Sequence, residues 1–275
     1  MLDLGARPLV MGILNVTPDS FAEVGSRLDA AQAIDAALQM EAQGADLIDI
    51  GGESTRPGAD PVAAGDEIAR VLPVLRGLAG RLRIPMSIDT YKAEVAQAAL
   101  DAGASIVNDV SGLHVDPSLA RVVAESGAAL VVMHTRGRPQ TMEAEAVYGD
   151  VLAEVGAELK ASIAVAEASG VPIDSIIVDP GIGFAKRTEH SYDVLARMPE
   201  LVAALGRPVL VGPSRKSFMR RALDGRPAAE RDWGTAATVS AAVLAGAHIV
   251  RVHAVAEMVQ VARVAEEIRK GKRQT

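Results

Sequence analysis

Short apolar runs recur along the chain, and each is separated from the next by a longer segment that mixes Ala with polar residues. Eight runs can be read in order: LVMGIL, LIDIG, IPMSID, SIVND, ALVVMH, SIIVDPG, PVLVG and HIVRVH. The segments between them, such as DAAQAIDAALQMEAQGA and KAEVAQAALDAGA, have helical periodicity, and Gly closes several of them as it closes helices. Continuous apolar strands that alternate with helices predict a parallel sheet covered on its outside.

Eight such units in 275 residues favour a single α/β domain over residues 1–275, folded as a (β/α)8 TIM barrel. The alternative is a doubly wound open sheet, but the chain lacks the Gly-rich fingerprint of dinucleotide-binding folds. No linker or low-complexity segment divides the sequence. Because 49% of the residues are hydrophobic and only 3% are aromatic, a large core is feasible and must consist of Ala, Val, Leu and Ile.

Polar residues collect at the carboxyl ends of nearly all the runs. They are Asn15, Asp49 with Glu53, Asp89, Asn108, His134, Asp179, Lys216 just beyond its run, and Arg251 with His253. In a barrel these ends meet at one mouth, where barrel enzymes place their chemistry. Asp and Asn at strand ends also cap the following helices, but caps do not require Lys, Arg or His. We therefore expect a functional site at the mouth.

Charge and composition narrow the possible partners. The net charge is −7 and no basic stripe is visible, so nucleic acid is not an expected partner. The absence of Cys excludes disulfides, thiolate metal sites and a Cys nucleophile. No apolar run approaches the ~20 residues that span a bilayer, and the N-terminus does not read as a signal peptide. We expect a cytoplasmic protein that does not bind membranes.

Eight motifs follow one another in the sequence: GILNVTPDSF, GGESTRPGA, SIDT, NDVSG, MH, DPGIGFAK, GPSRKSF and RVH. Together, from about Val10 to His253, they closely resemble the dihydropteroate synthase family. The resemblance implies a (β/α)8 barrel and a transferase of folate biosynthesis that is a sulfonamide target. That reaction joins a dihydropterin methyl diphosphate to 4-aminobenzoate and releases pyrophosphate and 7,8-dihydropteroate. The resemblance also implies a Mg²⁺ cofactor and, because the family is commonly dimeric, a homodimer.

The resemblance assigns pterin binding to strand-end and loop residues. They are Asp89, Asn108, Asp179, Phe184 and Lys216. A pterin presents a flat edge with adjacent donors, and a carboxylate such as Asp179 can accept two parallel hydrogen bonds from it. Lys216 is implied to reach the acceptor side of the ring and to pack against aminobenzoate. An unpartnered buried carboxylate or amide costs about 1–3 kcal/mol, so the pocket should reject ligands that lack the matching edge.

The diphosphate requires positive charge and N–H donors. The resemblance assigns it to Asn15, Thr55, Arg56, Arg251 and His253, and it makes Lys216, Arg251 and His253 the catalytic residues. The guanidinium of Arg251 offers a fork of donors, and His253 adds one more. Asn15 is implied as the Mg²⁺ ligand, since Mg²⁺ favours oxygen ligands and often binds together with substrate phosphates. GPSRKS is not a P-loop, because it lacks Gly directly before Lys.

Two loops complete the implied site. TPDSF and STRPG resemble mobile segments that close over the diphosphate and form the aminobenzoate site. The residues implied for aminobenzoate are Phe21, Pro57, Phe184, Lys216 and Ser217. The alternative for Phe21 is that it anchors its loop to the barrel rim.

The chain departs from the family pattern in two places. It reads RVHA, with Ala254, where the family usually has RVHD, and this removes a possible support for His253. The loop after Phe21 reads AEVG where a Ser-Asp-Gly-Gly type sequence is usual. Two alternative functions are a pterin-dependent methyltransferase and a catalytically altered pterin-binding paralogue. SRKS and STRPG argue against the first, and Ala254 is the only support for the second.

Overall fold

The computed structural model describes residues 4–17, 26–56 and 58–272. Within these residues, eight strands follow the eight apolar runs. They are β1 (Leu9–Asn15), β2 (Leu47–Gly51), β3 (Met86–Asp89), β4 (Ile106–Asp109), β5 (Ala129–Met133), β6 (Ile176–Asp179), β7 (Leu210–Val211) and β8 (Ile249–Val252). All are buried along most of their length, which explains why the runs read as continuously apolar rather than alternating.

Helices fill the connections between the strands. They are α1 (Ser26–Ala42), α2 (Ala64–Leu78), α3 (Ala93–Asp101), α4 (Leu119–Ser126), α5 (Val151–Ala168), α6 (Thr188–Ala196), α7 (Met198–Leu205), α8 (Asp232–Leu244) and α9 (Val255–Lys272). Short 3-10 turns occur at Ile173–Ser175, Ser217–Met219 and Ala228–Glu230. Within the described ranges, no helix is both long enough and apolar enough to cross a membrane.

Local sequence explains where several helices begin and end. Asp150 caps α5, because its carboxylate accepts hydrogen bonds from the backbone of Leu152 at 3.0 Å and Ala153 at 3.2 Å. Gly206 ends α7 with a φ of 59°, a left-handed conformation that favours Gly. The β6–β7 connection contains two helices rather than one. Pro199 in the first turn of α7 explains the break, because Pro fits a helix start and disrupts a helix interior.

The eight strands form one parallel sheet in the order β6-β5-β4-β3-β2-β1-β8-β7. A parallel bridge between Val178 and Val209 joins its two edges and closes the barrel. The prediction of a (β/α)8 barrel is therefore confirmed. Since β7 pairs with β8 over only two positions and with β6 through this one bridge, the closure is the least extensively paired part of the barrel.

The core has two layers. Most buried apolar residues lie between the strands and the helices, where Ala, Val, Leu and Ile predominate as composition predicted. A smaller cluster fills the barrel interior. Its buried members are Leu9, Met11, Leu47, Ile106, Val131, Ile177, Leu210 and Ile249. Because side chains alternate along a strand, the residue two positions further on faces the same way. The residues two positions after several of these apolar residues therefore also face the barrel interior, and they form a polar layer nearer the carboxyl ends of the strands.

Candidate active site at the carboxyl ends of the strands

A buried ion pair network lies above the apolar interior. Arg251, two positions after Ile249, donates from Nε to Asp49 Oδ2 at 2.6 Å and from Nη2 to Asp89 Oδ2 at 2.7 Å. Asn108 donates from Nδ2 to the same Asp49 oxygen at 2.8 Å. The structure thus brings together residues of β2, β3, β4 and β8. Asp49 was a strand-end candidate that the sequence left without a role, and here it is the shared acceptor.

Burial governs the protonation of Asp89. It raises the pKa of the Asp89 carboxyl to about 7, while the positive charge of Arg251 lowers that pKa and the negative charge of Asp49 raises it. The Asp89 carboxyl is therefore protonated more readily than an exposed Asp. A carboxylate accepts hydrogen bonds and a protonated carboxyl group can also donate one, which suits recognition of a heterocycle with both kinds of group.

Three buried oxygen atoms in this layer have no hydrogen-bond partner among the described residues. They are Asp49 Oδ1, Asp89 Oδ1 and Ser87 Oγ. Buried polar atoms in folded proteins are nearly always hydrogen-bonded, and each exception requires an explanation. Unpaired carboxylate oxygens on two neighbouring Asp residues suit a ligand that carries several N–H groups. The amino and ring N–H groups of a pterin have this character.

Asp179 and Lys216 belong to the same polar layer. Asp179 is buried, and its Oδ1 accepts a hydrogen bond from Gly181 N at 2.7 Å. Burial raises the pKa of Asp179, and the charge of Lys216 opposes that rise. Lys216 donates to the carbonyl of Ile182 and lies 4.4 Å from the centre of the Phe184 ring. Burial lowers the pKa of Lys216 to about 8, which still leaves its ammonium the main form at neutral pH.

His253 is held by a side chain that sequence reasoning did not single out. Ser214 Oγ lies 2.9 Å from His253 Nδ1 and also accepts a hydrogen bond from His253 N at 3.2 Å. Burial, followed by the charge of Arg215, lowers the pKa of His253 to about 3. The imidazole is thus neutral at physiological pH. If Ser214 donates to Nδ1, the proton of the ring lies on Nε2, which remains a donor for a ligand.

The GPSRKS segment is fixed by an ion pair between Arg215 and Asp232, which the sequence did not predict. Arg215 has a left-handed φ of 59° and donates from Nε and Nη2 to the two oxygens of Asp232, each at 2.7 Å. Its backbone N–H donates to Thr235 Oγ1 at 3.0 Å. A bidentate Arg–carboxylate pair has a defined geometry. It therefore fixes the backbone on either side of Arg215, including Ser214 and Lys216.

The remaining candidates lie around the mouth or outside the described residues. Asn15 ends β1 and is partly exposed, Thr55 lines an open cleft together with Phe184, and Ser217 is exposed. The positive charge of Arg56 contributes to lowering the pKa of His253, so Arg56 lies within electrostatic range of that imidazole. The predictions for Phe21, Pro57 and the AEVG segment fall outside the described residues.

Two other strand-end candidates contact different partners. His134 Nε2 lies 3.0 Å from Glu158 on α5, and its Nδ1 lies 2.8 Å from the buried ammonium of Lys186. Glu53 accepts a hydrogen bond from the Tyr91 hydroxyl at 2.5 Å and forms an ion pair with Lys92. Both residues are therefore satisfied by partners outside the central network. For these two, the structure favours a supporting role.

Comparison with known proteins identifies the class. The pterin binding enzyme family matches residues 11–253. The chain therefore belongs to the pterin-binding enzyme family. It is 47% identical to dihydropteroate synthase of Synechocystis sp. over 98% of this chain and 92% of that protein. It is 43% identical to the Escherichia coli enzyme of the same name, over 96% and 93% of the two chains.

Solved structures agree with this assignment. Dihydropteroate synthase of Xanthomonas albilineans with 4-aminobenzoic acid has a TM-score of 0.90 at 40% identity, covering 97% of this chain and 94% of that one. The Yersinia pestis enzyme with a sulfonamide drug has a TM-score of 0.91 at 40% identity, covering 98% and 96%. The predicted activity, that of a dihydropteroate synthase and hence a transferase of folate biosynthesis, is confirmed.

Proposed function

We propose that the polar layer of the barrel binds the dihydropterin ring, and that the rim binds the diphosphate and 4-aminobenzoate. The observation that carries this proposal is the set of unpaired buried oxygens on Asp49 and Asp89, beside the donor of Asn108. Asp179 accepts hydrogen bonds from the opposite edge of the pterin ring, and Lys216 donates a hydrogen bond to the side of the ring that carries acceptors. Phe184 packs against the ligand, and the ammonium of Lys216 lies over the Phe184 ring.

The diphosphate side consists of Asn15, Thr55, Arg56, Arg251 and His253. Arg251 already neutralises two carboxylates, so its charge is shared between the pterin layer and the rim. His253 is a neutral donor, and the guanidinium of Arg56 adds positive charge near it. The amide oxygen of Asn15 fits Mg²⁺, since the ion prefers oxygen ligands and completes its shell with waters and substrate phosphates. When bound there, Mg²⁺ would neutralise charge on the departing pyrophosphate.

Aminobenzoate lies against the outer face of this site. Lys216, Ser217 and Phe184 are the described residues that we assign to it, and Phe21 and Pro57 remain predictions that lie outside the described residues. The solved Xanthomonas albilineans enzyme with 4-aminobenzoic acid supports the choice of this second substrate. Two small molecules then meet at the rim, one held from inside the barrel and the other by the loops.

The chemistry requires little of the protein beyond position and charge. The bond between the methylene carbon and the diphosphate oxygen breaks, and pyrophosphate leaves with the electron pair. Donors from Arg251 and His253 stabilise the charge that develops on it. The electron-rich pterin supports the cationic methylene, the amine nitrogen of aminobenzoate attacks that carbon, and the amine then releases a proton to solvent. Asp89 and Asp179 orient the ring so that the methylene faces the rim.

Isothermal calorimetry with a dihydropterin that lacks the diphosphate tests these assignments. Asp89→Asn should weaken binding by about tenfold or more, because a hydrogen bond to a charged group contributes about 1.5–3 kcal/mol. Asp101→Asn is a matched control, since Asp101 is exposed at the C-terminal end of α3 and accepts a hydrogen bond from Gln97 on its own helix. Equal affinity of Asp89→Asn and the control would contradict the proposed pterin site.

Three further expectations accompany this proposal. They are one domain over residues 1–275, a homodimer and a cytoplasmic location. The single sheet formed by all eight described strands supports the first. Sedimentation equilibrium of the purified chain tests the second, with a mass of about twice 28.6 kDa expected.

A further inference from the structure

The loop after β5, residues 135–142, contacts the loop after β2. Gly58 N donates to the carbonyl of Pro139 at 2.9 Å. The side chain of Gln140 donates from Nε2 to the carbonyl of Ala59. These two bonds join the loops just beyond Arg56, which belongs to the proposed diphosphate side. We call residues 135–142 the support loop.

The support loop is anchored to the barrel by Arg136. This guanidinium donates to Glu154 at 2.7 Å, to Glu158 and to the carbonyl of Val147 at 2.6 Å. It also lies 4.1 Å from the centre of the Tyr148 ring. One side chain thus makes four contacts on helix α5 and the segment before it. Because these contacts are charged and partly buried, the base of the support loop is held more firmly than an ordinary surface loop.

The same anchor reaches the loop that carries Phe184. Glu158 lies 3.0 Å from His134 Nε2, and Lys186 Nζ lies 2.8 Å from His134 Nδ1 and donates to the carbonyl of Phe184 at 3.2 Å. Thr55 from the loop after β2, the support loop and Phe184 all line the same open cleft. The loop after β2, which carries Thr55 and Arg56 of the proposed diphosphate side and leads to Pro57, and the loop of Phe184 therefore share one structural support.

We propose that the support loop positions the loop after β2 for the second substrate, and that Gln140 is the positioning residue. This inference rests on the proposed function, because it takes the loop after β2 to serve the substrates. Gln140 does not touch the pterin layer, whose residues are held inside the barrel. Removal of the Gln140 side chain should therefore raise the KM for aminobenzoate and leave the affinity for the pterin ring unchanged.

Three variants test the inference in the full chain with Mg²⁺ present. Gln140→Ala removes the side chain, and Gln140→Glu keeps its shape but cannot donate to a carbonyl. Gln97→Ala is the control, an exposed Gln whose Nε2 donates to Asp101 within α3. Both Gln140 variants should raise the KM for aminobenzoate by about three- to tenfold, the effect of one hydrogen bond. The affinity for a dihydropterin without diphosphate should stay within about twofold of wild type, and hydrogen exchange in residues 58–62 should become faster.

An unchanged KM for aminobenzoate, unchanged exchange in residues 58–62, or an equal loss of pterin-ring affinity in either Gln140 variant would overturn the inference. Arg56→Ala, measured in parallel, separates this failure from failure of the proposed function. If Arg56→Ala impairs turnover and the Gln140 variants do not, only the role of the support loop is wrong. If Arg56→Ala also has no effect, the role of the whole loop after β2 is wrong.

Discussion

Replacement of Arg251 by Met should destabilise the ligand-free protein, and the loss should grow as the pH rises. The guanidinium lies 2.6 Å from Asp49 and 2.7 Å from Asp89, and both carboxylates are buried. Removal of one partner from such a network costs about 3–5 kcal/mol, because the remaining charges lose their compensation. For a chain of this size each kcal/mol corresponds to about 2–4 °C, so the Tm should fall by about 6–20 °C.

The direction of the pH effect follows from Asp89. Burial raises its pKa to about 7, so the folded protein binds a proton that the unfolded chain releases near pH 4. The stability from this group is complete below about pH 4 and is lost as the pH rises through about 7. Between about pH 6 and about pH 8.5 this group alone removes about 1.4 kcal/mol from the wild type. Without Arg251 the pKa rises further, and the same interval removes up to about 3.4 kcal/mol.

Thermal unfolding followed by circular dichroism at the two pH values measures this difference. Arg121→Ala is the control, because Arg121 is 71% exposed and lies 3.8 Å from Glu125 in a surface pair. Such pairs contribute about 0–1 kcal/mol, so the control should be almost unaffected at either pH. If Arg251→Met lost no more stability than the control, or lost the same amount at both pH values, the ion pair network would not stabilise the fold as its geometry implies.

Asp179→Asn should weaken binding of a dihydropterin without diphosphate by about ten- to a hundredfold in calorimetry, and unchanged affinity would contradict its role. Arg136→Ala should lower the Tm and raise the KM for aminobenzoate together; a change in only the Tm would show that its effect does not reach the loops. Ala254→Asp should stabilise the protein by about 0.5–2 kcal/mol in urea unfolding by capping α9, without changing the KM for the pterin diphosphate, because Ser214 already holds His253. Product formation should stop in EDTA and return with Mg²⁺, and Asn15→Ala should require more Mg²⁺ for half-maximal rate; full activity in EDTA would exclude the metal role.

The barrel and its polar mouth could be predicted because they depend on local patterns. Eight apolar runs, Ala-rich helices and polar strand ends are each visible within a few residues. The alternation along a strand would also have placed Asp49 and Arg251 in one layer, each two positions beyond a buried interior residue, Leu47 or Ile249. The pattern could not show that they pair, because the contact joins positions 202 apart in the sequence.

Other parts of the site depend on contacts between loops that have no periodicity. The support of His253 by Ser214 replaces what the sequence suggested was missing at Ala254. Gln140 looks like an ordinary exposed loop residue, and only the folded chain shows that it reaches Ala59. Polar loop residues carry no signal of their partners, so the roles of Ser214 and Gln140 could not be predicted from the sequence.

The short closure between β6 and β7 has a consequence for how ligands affect the protein. Asp179 ends β6 and Lys216 follows β7, so a pterin bound by both would connect the two sides of a seam whose described strands pair through one bridge. The ligand would therefore add a connection across the least extensively paired part of the barrel. Protection of the amides around Val178 and Val209 should then increase more than that of the extensively paired β1 and β2 when the ring is bound.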